Sequence, residues 1–401
     1  MAPLYVVRWS IGPVPTTLLE NLVWITLALY LFALWRDRRL APGRTPFDIP
    51  IALLLVAGFI GIFVAPDHRA ALGIFRAYLV EPVAIFYVAI AALASAAAIE
   101  LLLAGMAVGL AAFSVVEIVT FALAVTSHHL NPGHAAAAFG INPNSVALYL
   151  EPLIGLVAGF ALFGAPGQQR RIAVALFVVA IVAEVATLSR GGVFALAALV
   201  FIAILTIRDL RLRAGIAVAA LAGALALWKL PFIGPRLEHI ADPISGTLDS
   251  RGRIWAASIR MLREHPIFGA GVNGYQTVMA PIRATDSNLV PEPYPHNILL
   301  TSWTELGLLG LAAFAWILGG LVVLPWRRFA AASGISRPLL WGLGTAFVMV
   351  LVHGTVDSPY WKNDLSLEFW VLAALEVVTL RGVRQQSPAR SRSPEELRSQ
   401  G

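Results

Sequence analysis

The residues of this chain that could do chemistry stand at the edges of long apolar runs. In "PYPHNILLTSWTELGLLG", His296 and Asn297 lie at the mouth of one such run. An imidazole titrates near neutral pH, so His296 could take the proton of a hydroxyl as that hydroxyl attacks. The ring could equally cap or pack the helix that follows, and Asn297 could hold the ring or be the cap itself. In "TLSRGGVF", Ser189 and Arg190 occupy a break of a few residues between two apolar runs. The Gly-Gly turn lets the next helix start at once, which sets backbone N–H groups and a positive helix end beside a guanidinium, an anion site in principle. The alternative is an arginine that snorkels to the interface. Arg251 and Arg253 belong to "LDSRGRIWAASIRMLREHPIFGAG". It reads as an amphipathic helix capped by Asp249 or Ser250, with Trp255, Ile259 and Leu262 as its apolar stripe and Pro266, Gly269 and Gly271 ending it. Its arginines could grip an anion through charge-assisted bonds or be solvated surface charges.

Further polar residues fall on the same side by the topology below: Asn142, Asn144, His353 and Asp357, together with Arg69, Arg76, His128, His129 and His134. His353 and Asp357 are one helical turn apart, which predicts a hydrogen-bonded structural pair. The three early histidines are loosely spaced and have no carboxylate beside them, so no metal site is expected. Glu81, Glu117, Glu151, Glu184 and Glu305 are acids in apolar surroundings, and such residues are functional suspects by default. Glu81 and Glu151 each precede a proline, where donors freed at a kink could pair with them. Glu305, about two turns below His296, suggests an interhelical hydrogen bond.

The elements that must position these groups are membrane helices. The 401 residues are 58% hydrophobic and only 13% charged, with a mean hydropathy of +0.77. Apolar stretches of about 20 residues, the length that spans a bilayer as a helix, recur throughout. They lie at Thr17–Trp35, Phe47–Ala65, Ala77–Ala97, Leu101–Val125, Asn144–Phe163, Ile172–Leu188, Gly192–Ile207, Ala214–Leu230, Asn297–Leu324, Pro338–Val352 and Asp364–Leu380. The expected fold is therefore all-α, a polytopic bundle of about eleven or twelve spans. The alternating ten-residue segments of an outer-membrane barrel are absent. Residues 1–230 form an N-terminal set of spans, 231–296 a large loop with short helices, 297–381 the last spans, and 382–401 a polar, basic tail expected to be disordered.

Short-loop arginines fix the orientation. Arg36, Arg38, Arg39 and Arg44, then Arg170 and Arg171, Arg208, Arg211 and Arg213, Arg327, Arg328 and Arg337 occupy alternate connections, and the tail continues the series. By the positive-inside rule these face the cytoplasm, so the large loop and the polar set above face out. The net charge of +6 is mostly this topological signal. No basic stripe interleaved with aromatics points to nucleic acid. The chain has no cysteine, which excludes disulfides and thiolate metal sites. No cleavable signal is evident before Thr17.

Taken in order, "INPNSVALYL", "LSRGG", "SRGRIWAASIRMLREHPIFGAGVNGY", "PHNILLTSWTELGLLG" and "HGTVDSP" resemble the motifs of the O-antigen ligase and polymerase superfamily of bacterial envelope glycan enzymes. The likeness covers roughly Pro3 to Leu380. It implies an inverting, metal-independent glycosyltransferase without cofactor in the bacterial inner membrane. Such an enzyme moves a glycan from a polyprenyl-diphosphate carrier to a lipid or glycan acceptor at the outer face. By position, Arg190 and one loop arginine would bind the diphosphate. Arg251, four residues before Trp255, matches better than Arg253. His296 would be catalytic, with Ser189, Asn144, Asn297, His353 and Asp357 in support. A repeat-unit polymerase and a protein transferase share these motifs. A solute or bicarbonate-type transporter would instead show inverted repeats around midplane charges, and none is found. Relatives usually carry one more helix before a segment like "PLYVVRWSIGPVPTTLLE", so the resemblance also implies a twelfth span upstream.

Overall fold

A computed structural model describes residues 4–12, 14–38, 41–128, 137–229, 247–286 and 288–386. The chain folds as a multi-pass helical membrane protein. Its helices are α1 (Leu18–Arg36), α2 (Asp48–Val64), α3 (His68–Ala92), α4 (Ala96–Thr126), α5 (Pro143–Phe163), α6 (Gln168–Ala186), α7 (Arg190–Thr206) and α8 (Leu210–Trp228). Short helices α9 (Thr247–Glu264), α10 (Tyr275–Val278) and α11 (Ala280–Ala284) follow, and α12 (Ile298–Phe329), α13 (Ser336–His353) and α14 (Asn363–Gln386) complete the bundle. Each of the eleven expected spans corresponds to one helix. Among the described residues, 7 helices are long and apolar enough to cross a membrane; α2 and α7 are apolar but shorter.

The departures from expectation are local. A small antiparallel hairpin, β1 (Arg8–Ile11) with β2 (Val14–Thr17), precedes α1. Thr17 then starts the helix through a capping box with Glu20. The third span begins at His68 rather than Ala77, because Asp67 caps a helix there. It stops at Ala92, and Ser95 caps α4. Arg76 does not reach out as a free charge: it pairs with Glu20 at 3.1 Å and Glu81 at 3.3 Å. A π turn at Arg76–Val80 follows. Pro82 has no N–H to offer the Tyr78 carbonyl, and the Tyr360 hydroxyl donates to that carbonyl instead, at 2.8 Å. Trp370 Nε1 in turn donates to the Tyr360 hydroxyl at 3.0 Å. This links α3 to α14 within an aromatic core that includes Phe86, Phe314, Phe347 and Phe369.

Two seams set the geometry of the site. Along α5 and α13 the backbones touch through glycines: a Cβ at Gly159 would fall 2.3 Å from Pro338 O, and one at Gly342 would fall 2.7 Å from Leu156 O. The α12–α13 seam continues beyond the helix ends, where Ile298 N donates to Gly354 O at 2.7 Å. The basic connections gather at the opposite end of the bundle. There Arg337 lies over the rings of Phe163 and Phe329, and Arg381 donates to the carbonyls of Pro42 and Arg44.

Candidate functional site

The site forms where α5, α7, α12 and α13 end together under the large loop. Asn297 caps α12, its Oδ1 accepting from Leu299 N and Leu300 N, while its Nδ2 donates to Thr355 O at 3.0 Å. Capping is thus its role, and the ring of His296 is held elsewhere. His296 sits just outside the helix in the left-handed region, φ +54°, which turns its imidazole back toward the loop after α13. Its Nδ1 lies 3.0 Å from Asp357 Oδ1. Asp357 is buried and further fixed by Ser358 N at 2.8 Å and by Asn144 Nδ2 at 3.3 Å. Asn142 caps α5 and accepts from Asn144 N, so the start of α5 carries Asn144 to the aspartate. On the other side of the ring, Nε2 is 3.0 Å from Glu292 Oε2, and Tyr294 packs edge-on with 5.1 Å between ring centres.

His353 and Asp357 are not a side-chain pair. The backbone joins them, Asp357 N donating to His353 O at 3.0 Å, but the His353 ring turns into the bundle and bonds Glu151 at 2.5 Å through Nδ1. Helical spacing puts residues 353 and 357 near each other, but the chain unwinds after His353, and the partner 202 residues away wins. The far edge of that ring rests on α7: a Cβ at Gly191 would be 2.1 Å from His353 Nε2. Ser189 caps α7 by accepting from Gly192 N at 3.2 Å. Arg190 is therefore the first helical residue, one position from this contact. Its Nε is buried and has no hydrogen-bond partner among the described residues. Glu184 is buried beside Gly192.

The loop brings its own arginine. In α9 the buried face is Ile254, Ala257, Met261 and Leu262, packed on Tyr275, Met279 and Leu289. Ile259 is exposed, so the apolar stripe lies about one residue earlier than its sequence pattern predicts. The helix starts at Thr247, which places Ser250 inside it rather than at its cap. Trp255 Nε1 donates to Pro295 O at 3.1 Å, directly before His296. One turn back on that face, Arg251 is half-buried with an unpartnered Nε. Its charge acts on His296, Glu292 and Asp357. Arg253 is exposed.

The far end of α9 is locked into the membrane bundle. Gly307 breaks the backbone of α12 at φ 68°, ψ −171°, a region essentially confined to glycine. The segment after α9 fills the break. Leu308 N donates to Ile267 O at 2.9 Å, Ala270 N to Thr304 O at 2.7 Å, and Val272 N to Gly61 O at 3.2 Å. Glu305 accepts from Asn273 N, so its bond goes to the loop rather than to another helix. Irregular backbone at this depth is tolerable because protein encloses it.

The electrostatics follow from these contacts. Burial works to lower the His296 pKa, but Asp357 and Glu292 outweigh it and hold the ring above its ordinary 6.5. Burial works to raise Asp357, yet the His296 contact, with the charge of Arg251 adding, keeps it well below the usual carboxylate range. Glu292 is lowered chiefly by His296. The arrangement is an imidazole with one nitrogen anchored to a carboxylate and the other directed toward the loop, under two arginines with unused donors. Glu292, which the sequence patterns did not single out, could have been suspected only from its place four residues before His296. His128 is exposed, and His129 and His134 lie outside the described residues.

No curated protein matches the chain. Residues 175–315, which run from α6 through the loop into α12, match the family model described as O-Antigen ligase. That segment carries Ser189, Arg190, Arg251, His296 and Asn297, so the part of the chain that builds the site is similar to the O-antigen ligase family.

Proposed function

We propose that the protein is a glycosyltransferase that moves a glycan from a polyprenyl-diphosphate carrier to an acceptor hydroxyl at the outer face of the bacterial inner membrane. The observation that carries this reading is the Asp357–His296 pair, 3.0 Å apart, beside two arginines whose buried Nε donors have no partner among the described residues. In the reaction the acceptor oxygen attacks the anomeric carbon from the side opposite the diphosphate. The bond from that carbon to the diphosphate oxygen breaks, and its electron pair stays with the leaving group. The acceptor proton passes to His296 Nε2. Asp357 holds the Nδ1 proton, which fixes the tautomer and balances the imidazolium that forms. Arg190 and Arg251 take up the charge of the departing diphosphate through bidentate bonds, a task that soluble sugar-nucleotide transferases often give to a metal held by an Asp-x-Asp motif. The sequence has no such motif. Attack opposite the leaving group inverts the anomeric configuration, and one base suffices for it.

His296→Asn tests the reading, because the amide keeps a polar group at the helix mouth and removes the base. Transfer from a lipid-diphosphate glycan should fall by about a hundredfold or more, while the variant still inserts and binds the donor. Near-normal turnover would assign His296 a structural role. Activity should also persist in EDTA, and its loss there would refute charge neutralisation by arginine alone.

A further inference from the structure

His296 Nε2 is the atom that must receive the acceptor's proton, and it is closed off. Solvent does not reach it, and no group makes an aligned hydrogen bond to it. Glu292 covers it, its Oε2 3.0 Å away in a charge contact. The side chain of Glu292 is itself 32% exposed. It belongs to the segment Pro291–Glu292–Pro293–Tyr294, which leads into the left-handed His296. The other charges around the ring are Asp357 at Nδ1, from the loop after α13, and Arg251, from α9. His353 and Glu151 stand behind Asp357 and are bonded to each other.

We propose that Glu292 gates the acceptor side of the site: its carboxylate covers His296 Nε2, denies water the position of acceptor, and is displaced by the incoming acceptor hydroxyl. This rests on the reading of His296 as the base. Water is the competitor such a site must refuse. A water oxygen could attack the same anomeric carbon, give its proton to Nε2 and release the lipid diphosphate, which would discard the glycan as a free sugar. With Glu292 in place the imidazole stands between two carboxylates, which favours its protonated form and leaves no lone pair for a proton. A glycan acceptor offers several hydroxyls that can replace the contact of Glu292 with His296 and hold the segment aside. A single water cannot. Once Glu292 swings into solvent, Nε2 is free beside the acceptor.

Diethyl pyrocarbonate, which acylates accessible neutral imidazole, tests the cover without any substrate. Full-length protein in lipid nanodiscs would be treated near pH 7 and each histidine followed by peptide mass spectrometry, with the exposed His265 as internal reference. In the wild type His296 should react at least about tenfold more slowly than His265, since it is covered and its pKa is held above the ordinary imidazole value. Glu292→Ala should bring it to within a few-fold of His265. Glu292→Gln keeps the cover and removes the charge, and should fall between. Equal rates at His296 and His265 in the wild type, a comparison that needs no variant, would overturn the gate. So would a Glu292→Ala protein that labels no faster at His296. Function is read with a synthetic polyprenyl-diphosphate disaccharide and no acceptor. Glu292→Ala should release free disaccharide roughly tenfold faster than wild type, a gain that adding His296→Asn should abolish. Unchanged release would sink the gate and leave the base intact. Near-normal transfer by His296→Asn alone would sink the base, whatever the labelling shows.

Discussion

Arg190 and Arg251 share a feature that most surface arginines lack: among the described residues each keeps a buried Nε with nothing to donate to. Leaving such a donor unpaired is unfavourable unless a ligand completes it. Arg190→Lys retains the charge but loses the planar fork, so donor use should drop roughly ten- to a hundredfold. Arg251→Ala should act alike, while Arg253→Ala, on the exposed face of the same helix, should stay within about twofold; assays at varied donor concentration would separate the three. The pH profile tests Asp357. Since His296 must be neutral to accept a proton and its pKa is held above 6.5, activity should rise with pH through a limb lying above that value. Asp357→Asn removes the largest influence raising that pKa. The limb should move to lower pH, and the maximal rate should fall because the tautomer is no longer fixed. The motif residues were legible from sequence because their neighbours are distinctive. The His353–Glu151 bond was not, since nothing local announces a partner on another span.

At the scale of elements, the joint between the loop and α12 decides how well Arg251 faces His296. Gly307→Ala would force a side chain into a glycine-only conformation, with its Cβ 2.2 Å from Ile267 O. Destabilisation of about 1–3 kcal/mol, read as a lower unfolding midpoint in detergent, should come with a loss of activity larger than the loss of folded protein. Gly191→Ala offers a second check, because the added methyl meets the His353 ring and must move either that ring or the start of α7. The spans themselves were readable from apolar run lengths, which are a one-dimensional signal. The break at Gly307 was hidden inside such a run, because a glycine among leucines looks the same whether or not its φ is positive. The phase of α9 differs from its sequence pattern by about one residue, since its burial is set by α10 and the Leu289 region rather than by lipid.

The whole molecule separates its charges by end. The arginine-rich connections meet around Arg337 and Arg381, and the site groups meet around Asp357. Because the chain has no cysteine, single substitutions report sidedness cleanly. Ser250→Cys and Thr355→Cys, both exposed and both at the site end, should react with an impermeant thiol reagent in intact spheroplasts. Gln168→Cys, exposed at the basic end, should react only after lysis. The reverse pattern would turn the site toward the cytoplasm and undo the proposed reaction. Ser358, adjacent to Asp357, is a poor reporter: it is buried and bonded to Thr301 at 2.8 Å.

The break at Gly307 also bears on how the protein is made. The segment around Ile267–Val272 leaves the ribosome before α12 does, yet the Leu308 N–H and the Thr304 carbonyl find their partners there. Until the two meet, α12 would carry open backbone groups at a depth where lipid offers nothing to bond them. Insertion of α12 and capture of the loop are therefore one event in the biogenesis of this membrane protein. The loop, made first, must wait for the helix that completes it.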